Sequence, residues 1–135
     1  MGGRFAAAAL KMLGLHISAE LRGCPAAAVA LADTSALRHL CVYAVQQAGL
    51  TPVGELFHAF AAPGGITGVV LLAESHLAVH TWPEMSAVTL DAYVCNFGHD
   101  NSARARQLVD LLVAAFKPAG VQRRETLRGG LSSAP

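Results

Sequence analysis

Charge is scarce in this chain: Asp, Glu, Lys and Arg supply only 14% of its 135 residues, and the formal net charge is +1. No run of Lys and Arg with interleaved aromatics occurs, so the electrostatic footprint of a nucleic-acid-binding protein is missing. Cysteine is sparse as well. Cys24, Cys41 and Cys95 are odd in number and lack metal-ligand spacing, which speaks against a disulfide framework and suits reduced thiols in a cytosol. No apolar run approaches a membrane span. The opening MGGRFAAAALKMLG is interrupted by Lys11 before a signal-peptide core is complete, and Ala6 stands where myristoylation needs Ser or Thr. Sequence repeats are absent. The expectation is a soluble cytoplasmic protein that engages neither membrane nor nucleic acid and holds no metal.

What the chain has instead is apolar content, 53% of its residues. That is enough for one domain with a real core, expected over residues 1–128, followed by a loose tail of small and polar residues over 129–135. So little charge on so apolar a chain fits a surface covered by another copy, and a homo-oligomer is the default. Leu15, Ile17, Ala19 and Leu21 alternate with polar partners, as in a half-buried strand ended by Cys24-Pro25. Asp33 or Thr34 can cap a helix over 35–48, with Leu37, Leu40, Cys41, Ala44, Val45 and Ala48 on its apolar face and Gly49 terminating it. Strands are expected over 51–60, 66–73, 88–95 and, briefly, 121–127, with Pro63-Gly64-Gly65 as a turn. Asp100 or Asn101 can cap a second helix over 102–116, burying Leu108, Leu111, Leu112, Ala115 and Phe116 before Pro118 and Gly120 stop it. Hairpin-linked strands dominate. The economical architecture is an α+β two-layer sandwich, a mainly antiparallel sheet with two helices on one face.

The chemistry gathers in LLAESHLAVHTWPE, residues 71–84. Val69 to Ala73 is an apolar run of strand length, and Leu77, Val79 and Thr81 alternate with His76, Ala78 and His80, so two strands broken at Glu74-Ser75 are predicted. The period of two puts His76 and His80 on one face and Leu77 and Val79 on the other. Pro83 closes the segment. Taken alone, Ser75 is a turn serine, either histidine a structural one, Cys95 a core thiol like Cys24 and Cys41, Phe60 a core residue and Glu84 a solvated charge. A metal site from His76, His80 and Cys95 is a further reading.

This stretch resembles the prokaryotic S-adenosylmethionine decarboxylase family, whose proenzymes carry a closely similar AESH…HTWPE segment. LGLHISAEL, GELFHAF, GITGVV and a Cys fifteen residues after His80 extend the resemblance over roughly residues 13–127. It implies a two-layer sandwich that dimerises, as a homodimer or a dimer of dimers. It also implies a chain that cuts itself between Glu74 and Ser75 into a β chain, 1–74, and an α chain, 75–135. In that reading Ser75 becomes a covalent pyruvoyl group whose ketone takes the substrate amine as a Schiff base. The product is decarboxylated S-adenosylmethionine, the aminopropyl donor of spermidine and polyamine synthesis.

The same resemblance assigns roles. His80 matches the processing proton acceptor, Thr67 a hydroxyl that assists processing, and Cys95 the acid that returns a proton to the substrate. Phe60 matches an aromatic that stacks on adenine, and Glu84 a glutamate that reaches the neighbouring subunit's site and binds ribose hydroxyls. The chain departs from the family at Ala59, in a longer AAPGG turn, at Met85-Ser86 and at Asn96, where glycine is usual. These positions line the expected pocket, so a pyruvoyl decarboxylase of a basic amino acid such as arginine or ornithine is the near alternative. An uncleaved regulatory homologue is the other.

Overall fold

The computed structural model describes residues 13–25, 29–62, 64–96 and 98–129. Strand β1 (Leu13–Arg22) leads through a 3-10 turn, Val29–Leu31, to helix α1 (Thr34–Gln47). Then come β2 (Pro52–Ala59), β3 (Ile66–Leu72), β4 (Ser75–Trp82), a second 3-10 turn at Pro83–Met85, and β5 (Ala87–Cys95). Helix α2 (Ser102–Phe116) and β6 (Gly120–Gly129) complete the chain. All six strands form one antiparallel sheet in the order β2-β3-β4-β5-β1-β6. The α+β two-layer sandwich expected from the sequence is the fold.

Alternation decides which face is covered. Leu15, Ile17, Ala19 and Leu21 of β1, Leu77 and Val79 of β4, and Val88, Leu90, Ala92 and Val94 of β5 are all buried. They form one core with Leu37, Cys41, Ala44 and Val45 of α1 and Ala105, Leu108, Val109, Leu112 and Phe116 of α2. Burying each of the large side chains contributes roughly 1.5–3 kcal/mol. Both helices therefore lie on one side of the sheet. The other side carries His16, Ser18, His76, His80, Thr89, Asp91 and Tyr93, all half-buried, and no helix covers it among the described residues.

Several local expectations are refined. Asp33, not Thr34, caps α1, accepting the Ala36 amide at 3.0 Å, and Gly49, at φ 82°, follows the helix end. On α2 the buried stripe runs through Ala105, Leu108, Val109, Leu112 and Phe116; Ala115 is exposed and Leu111 half-buried, because the contact with the sheet is set one helical phase earlier. The last strand is ten residues long rather than a short piece of seven, and Gly129 pairs with Leu13 instead of opening a tail. Residues 130–135 of the expected tail, the opening segment 1–12, and Pro63 of the expected turn lie outside the described residues.

Strand β6 is an edge strand held from the side by α2. Arg106 donates to both oxygens of Glu125, at 3.0–3.2 Å, and Arg123 pairs with Asp110. The Arg106 hydrogen bond keeps the Glu125 carboxyl below the usual glutamate range. A carboxyl whose folded-state pKa is depressed adds stability above its unfolded pKa, near 4.3, and loses it as the pH falls through the lower folded value. Both side chains are solvated, so the effect is small. Glu125→Gln is expected to leave the neutral-pH melting temperature nearly unchanged and to flatten its decline between about pH 4.5 and 3, as a thermal melt series over that range would measure.

Candidate active site

The β3–β4 hairpin turns through two residues, Ala73 and Glu74, because Leu72 pairs directly with Ser75. Glu74 has φ 58°, the left-handed region where glycine is the ordinary occupant. Holding a non-glycine residue there costs on the order of 1–2 kcal/mol. The strained residue is the one whose carbonyl precedes Ser75. The Ser75 hydroxyl accepts the main-chain N–H of Cys95 at 3.1 Å, so these two residues, twenty apart in sequence, meet at one corner of the sheet.

A second constellation occupies the far end of β4. Thr67 of β3 is the cross-strand partner of His80, and the Thr67 hydroxyl lies 3.0 Å from His80 Nδ1. Phe60, Gly65, Thr67, His80, Trp82 and Glu84 line a pocket of about 340 Å³. Its floor depends on close backbone approach: a Cβ on Gly65 would lie 1.8 Å from the Thr81 carbonyl oxygen, so only glycine fits. Phe60 is 55% exposed and packs its ring edge-on against His58 at 4.7 Å, leaving a face for a planar ligand group. Glu84 opens the 3-10 turn after Trp82 at the pocket's rim.

Five residues at about 3.3 Å each put Ser75 roughly 16 Å from His80 along the same strand. One copy of the chain therefore holds Ser75 with Cys95 at one place and Phe60, Thr67, His80 and Glu84 at another. Four residues likewise separate His76 from His80 by roughly 13 Å, so the metal set of His76, His80 and Cys95 is not assembled. Among the described residues no group of three His, Cys, Asp or Glu side chains is arranged to hold a metal ion.

Between the two places lies a contact that the sequence did not announce. Asp91 Oδ2 accepts from Nε2 of His16 at 3.1 Å and lies 3.4 Å from Nε2 of His76, which gives His76 a partner. Tyr93 lies beside His76, with Arg128 stacked on its ring 4.9 Å from the centroid. His16 and Asp91 are 75 residues apart and neither stands out locally, so only the β1–β5 pairing could have found them. Trp82, also unassigned beforehand, forms a wall of the pocket. Burial pushes the Cys41 thiol up to about 12, with Glu55 adding to the effect, and raises Cys24 too. Both belong to the core, as expected.

A family model described as S-adenosylmethionine decarboxylase matches residues 15–129, which includes the Ser75 corner and the pocket alike. The chain belongs to the S-adenosylmethionine decarboxylase family. Within it, the chain is 37% identical over 119 residues to the S-adenosylmethionine decarboxylase proenzyme of Aquifex aeolicus, covering 88% of this chain and 83% of that one. The corresponding proenzyme of Picrophilus torridus is 36% identical over 117 residues, covering 87% and 85%. In three dimensions the crystal structure of the Aquifex aeolicus adenosylmethionine decarboxylase superposes with a TM-score of 0.79 at 34% identity, over 93% of this chain and 98% of that one. The S-adenosylmethionine decarboxylase fold thus accounts for the whole described sheet and both helices.

Proposed function

We propose that this chain is a self-processing, pyruvoyl-dependent S-adenosylmethionine decarboxylase. The observation that carries the reading is the left-handed Glu74 next to a Ser75 hydroxyl anchored on the Cys95 main chain. A serine is a weak nucleophile toward its own preceding carbonyl unless the backbone is held off its normal geometry. Ser75 Oγ adds to the Glu74 carbonyl carbon while the amide C–N bond breaks, giving an ester and a free amine. Removal of the Ser75 α-proton then breaks the Cβ–O bond and releases residues 1–74 as a carboxylate. The remaining enamine takes up water and loses ammonia, leaving a ketone on residue 75. Once formed, the pyruvoyl group supplies an electron sink for the carbon that loses carbon dioxide.

The side chains divide the remaining work. His80, its Nδ1 within 3.0 Å of the Thr67 hydroxyl, is the base for the α-proton. Cys95 returns a proton to the substrate. Phe60 gives a flat surface to adenine and Glu84 a carboxylate to the ribose hydroxyls. Because one chain keeps Ser75 about 16 Å from His80, these groups work together only when a second copy brings its pocket over the first copy's corner. The uncovered sheet face, where Leu56 is 72% and Leu71 48% exposed, suits such a homodimer. The retained Phe60 and Glu84 favour the nucleoside substrate over a basic amino acid. The reaction supplies an aminopropyl donor and belongs in the cytoplasm, where reduced thiols are at home.

The test is a comparison of carbon dioxide release from carboxyl-labelled S-adenosylmethionine, arginine and ornithine, after intact-mass analysis under denaturing conditions. Two fragments divided after Glu74, a ketone trapped by borohydride and an amine, and release from S-adenosylmethionine alone are expected. Release confined to an amino acid would overturn the substrate, and a single unbroken chain the whole reading. Sedimentation should give twice the chain mass, or four times it for a dimer of dimers; an active monomer would rule out the shared site.

A further inference from the structure

We infer that Asn101 is a positioning residue for Cys95, holding the cysteine's carbonyl so that its thiol keeps one direction. The inference rests on the reading of Cys95 as proton donor. In an antiparallel strand the N–H and C=O of one residue point to the same edge. On β5 that edge is supplied by β4 as far as Tyr93, which pairs with His76; β4 begins one residue earlier, at Ser75, and has nothing left to offer Cys95. Two side chains replace the missing ladder. The Cys95 N–H donates to Ser75 Oγ at 3.1 Å, and the Cys95 carbonyl accepts from Asn101 Nδ2 at 3.0 Å.

Asn101 occupies the N-cap position of α2, where an asparagine ordinarily bonds the first turn of its own helix. Here it makes no capping bond. Its Nδ2 goes to Cys95 instead, and the neighbouring Asp100 accepts the Ser102 amide at 2.9 Å. Asn101 is itself fixed from two sides. Its N–H donates to Asn96 Oδ1 at 2.8 Å, and its Oδ1 accepts from Arg104 at 2.9 Å. Asn96 also donates to the Ser102 hydroxyl at 3.0 Å, closing the loop onto the helix. The asparagine that stands where the family usually has glycine is thus part of the hold.

The arrangement matters most after cleavage. Ser75 Oγ departs with Glu74 as a carboxylate oxygen, so the hold on the N–H side is gone and Asn101 is the side chain that remains on Cys95. With substrate joined to residue 75, the thiol would have two carbons to choose between, the substrate α-carbon and the former ketone carbon. A proton on the first gives the amine product. A proton on the second, followed by hydrolysis, gives carbon dioxide, the substrate's aldehyde and an alanine at residue 75, the amino nitrogen having moved to the enzyme with no outside oxidant or reductant. A cysteine that wanders raises the second outcome.

The test compares Asn101→Asp, which keeps size and loses the donor, with Asp100→Ala, which loses the hydrogen bond to the Ser102 amide and keeps the hold. In processed enzyme turning over S-adenosylmethionine, mass spectrometry of the 75–135 fragment should show alanine at residue 75 accumulating several-fold faster per turnover in Asn101→Asp and at the wild-type rate in Asp100→Ala. A second comparison uses the uncut Ser75→Ala background. There Asn101→Asp should change the iodoacetamide rate at Cys95 several-fold while Cys24 and Cys41 stay protected, whether or not the chain is a decarboxylase. Equal effects of the two substitutions, or none from Asn101→Asp on either readout, would overturn the role. An absence of turnover in wild type would count against the proposed function, and the alkylation rates would still decide the hold.

Discussion

Replacing Ser75 with alanine is expected to leave the purified chain in one piece of 14.0 kDa, with no ketone to trap and no carbon dioxide release from S-adenosylmethionine. The loss should be at least about 10³-fold, the scale on which removing a covalent catalyst acts. The fold should survive, because Ser75 is half-buried at a hairpin corner and its side chain makes a single hydrogen bond, to the Cys95 amide, whose removal costs about 1 kcal/mol. Circular dichroism and a thermal melt would separate a folded, uncut protein from an unfolded one. Cleavage of the alanine variant at the same bond would mean that some other group performs the attack, and Ser75 would lose its role.

The second large effect is on stability. Thr81 is the one polar residue among the described ones that is buried, 3% exposed, and its hydroxyl joins three separate pieces of chain. It accepts the Ile66 amide at 2.9 Å and donates to the Leu31 carbonyl at 2.7 Å. Thr81→Val keeps the shape and removes both bonds, leaving a buried donor and a buried acceptor unpaired. At about 1–3 kcal/mol for each group, the destabilisation should be roughly 2–6 kcal/mol, which for a domain of this size lowers the melting temperature by on the order of 10 °C or more. Thr81→Ser, which keeps the hydroxyl and loses a methyl, should cost about 1 kcal/mol. Denaturant unfolding of the pair would measure the difference, and equal midpoints would show that the bridge contributes nothing. Ile66 begins the strand that forms the pocket floor, so the same substitution is expected to loosen the pocket.

Much of the fold was legible because period-two alternation survives wherever one face of a strand is covered. In β4 it placed Leu77 and Val79 inward and His76 and His80 outward, as the structure has them. It reached only part of β6, expected over 121–127, because Gln122, Arg123, Arg124 and Glu125 give no alternation on an edge strand that is exposed along nearly its whole length. The lateral order was not legible at all: β1 lies between β5 and β6 through pairings of distant residues, and no local pattern encodes them. The candidate site divides the same way. Ser75, His80, Glu84 and Cys95 could be picked out through a motif. The Glu74 backbone angle, the Asp91 bridge and the Asn101 bond are products of tertiary placement.

The strand order also bears on what a cut after Glu74 leaves behind. The first fragment would own β1, β2, β3 and α1, and the second β4, β5, β6 and α2. Because β1 is inserted between β5 and β6, three ladders, β3–β4, β5–β1 and β1–β6, would span the break. The two pieces would be interleaved like the fingers of clasped hands, and parting them would require opening the core itself. A chain of this topology can sever its own backbone without coming apart, and separation of the fragments becomes the same event as unfolding.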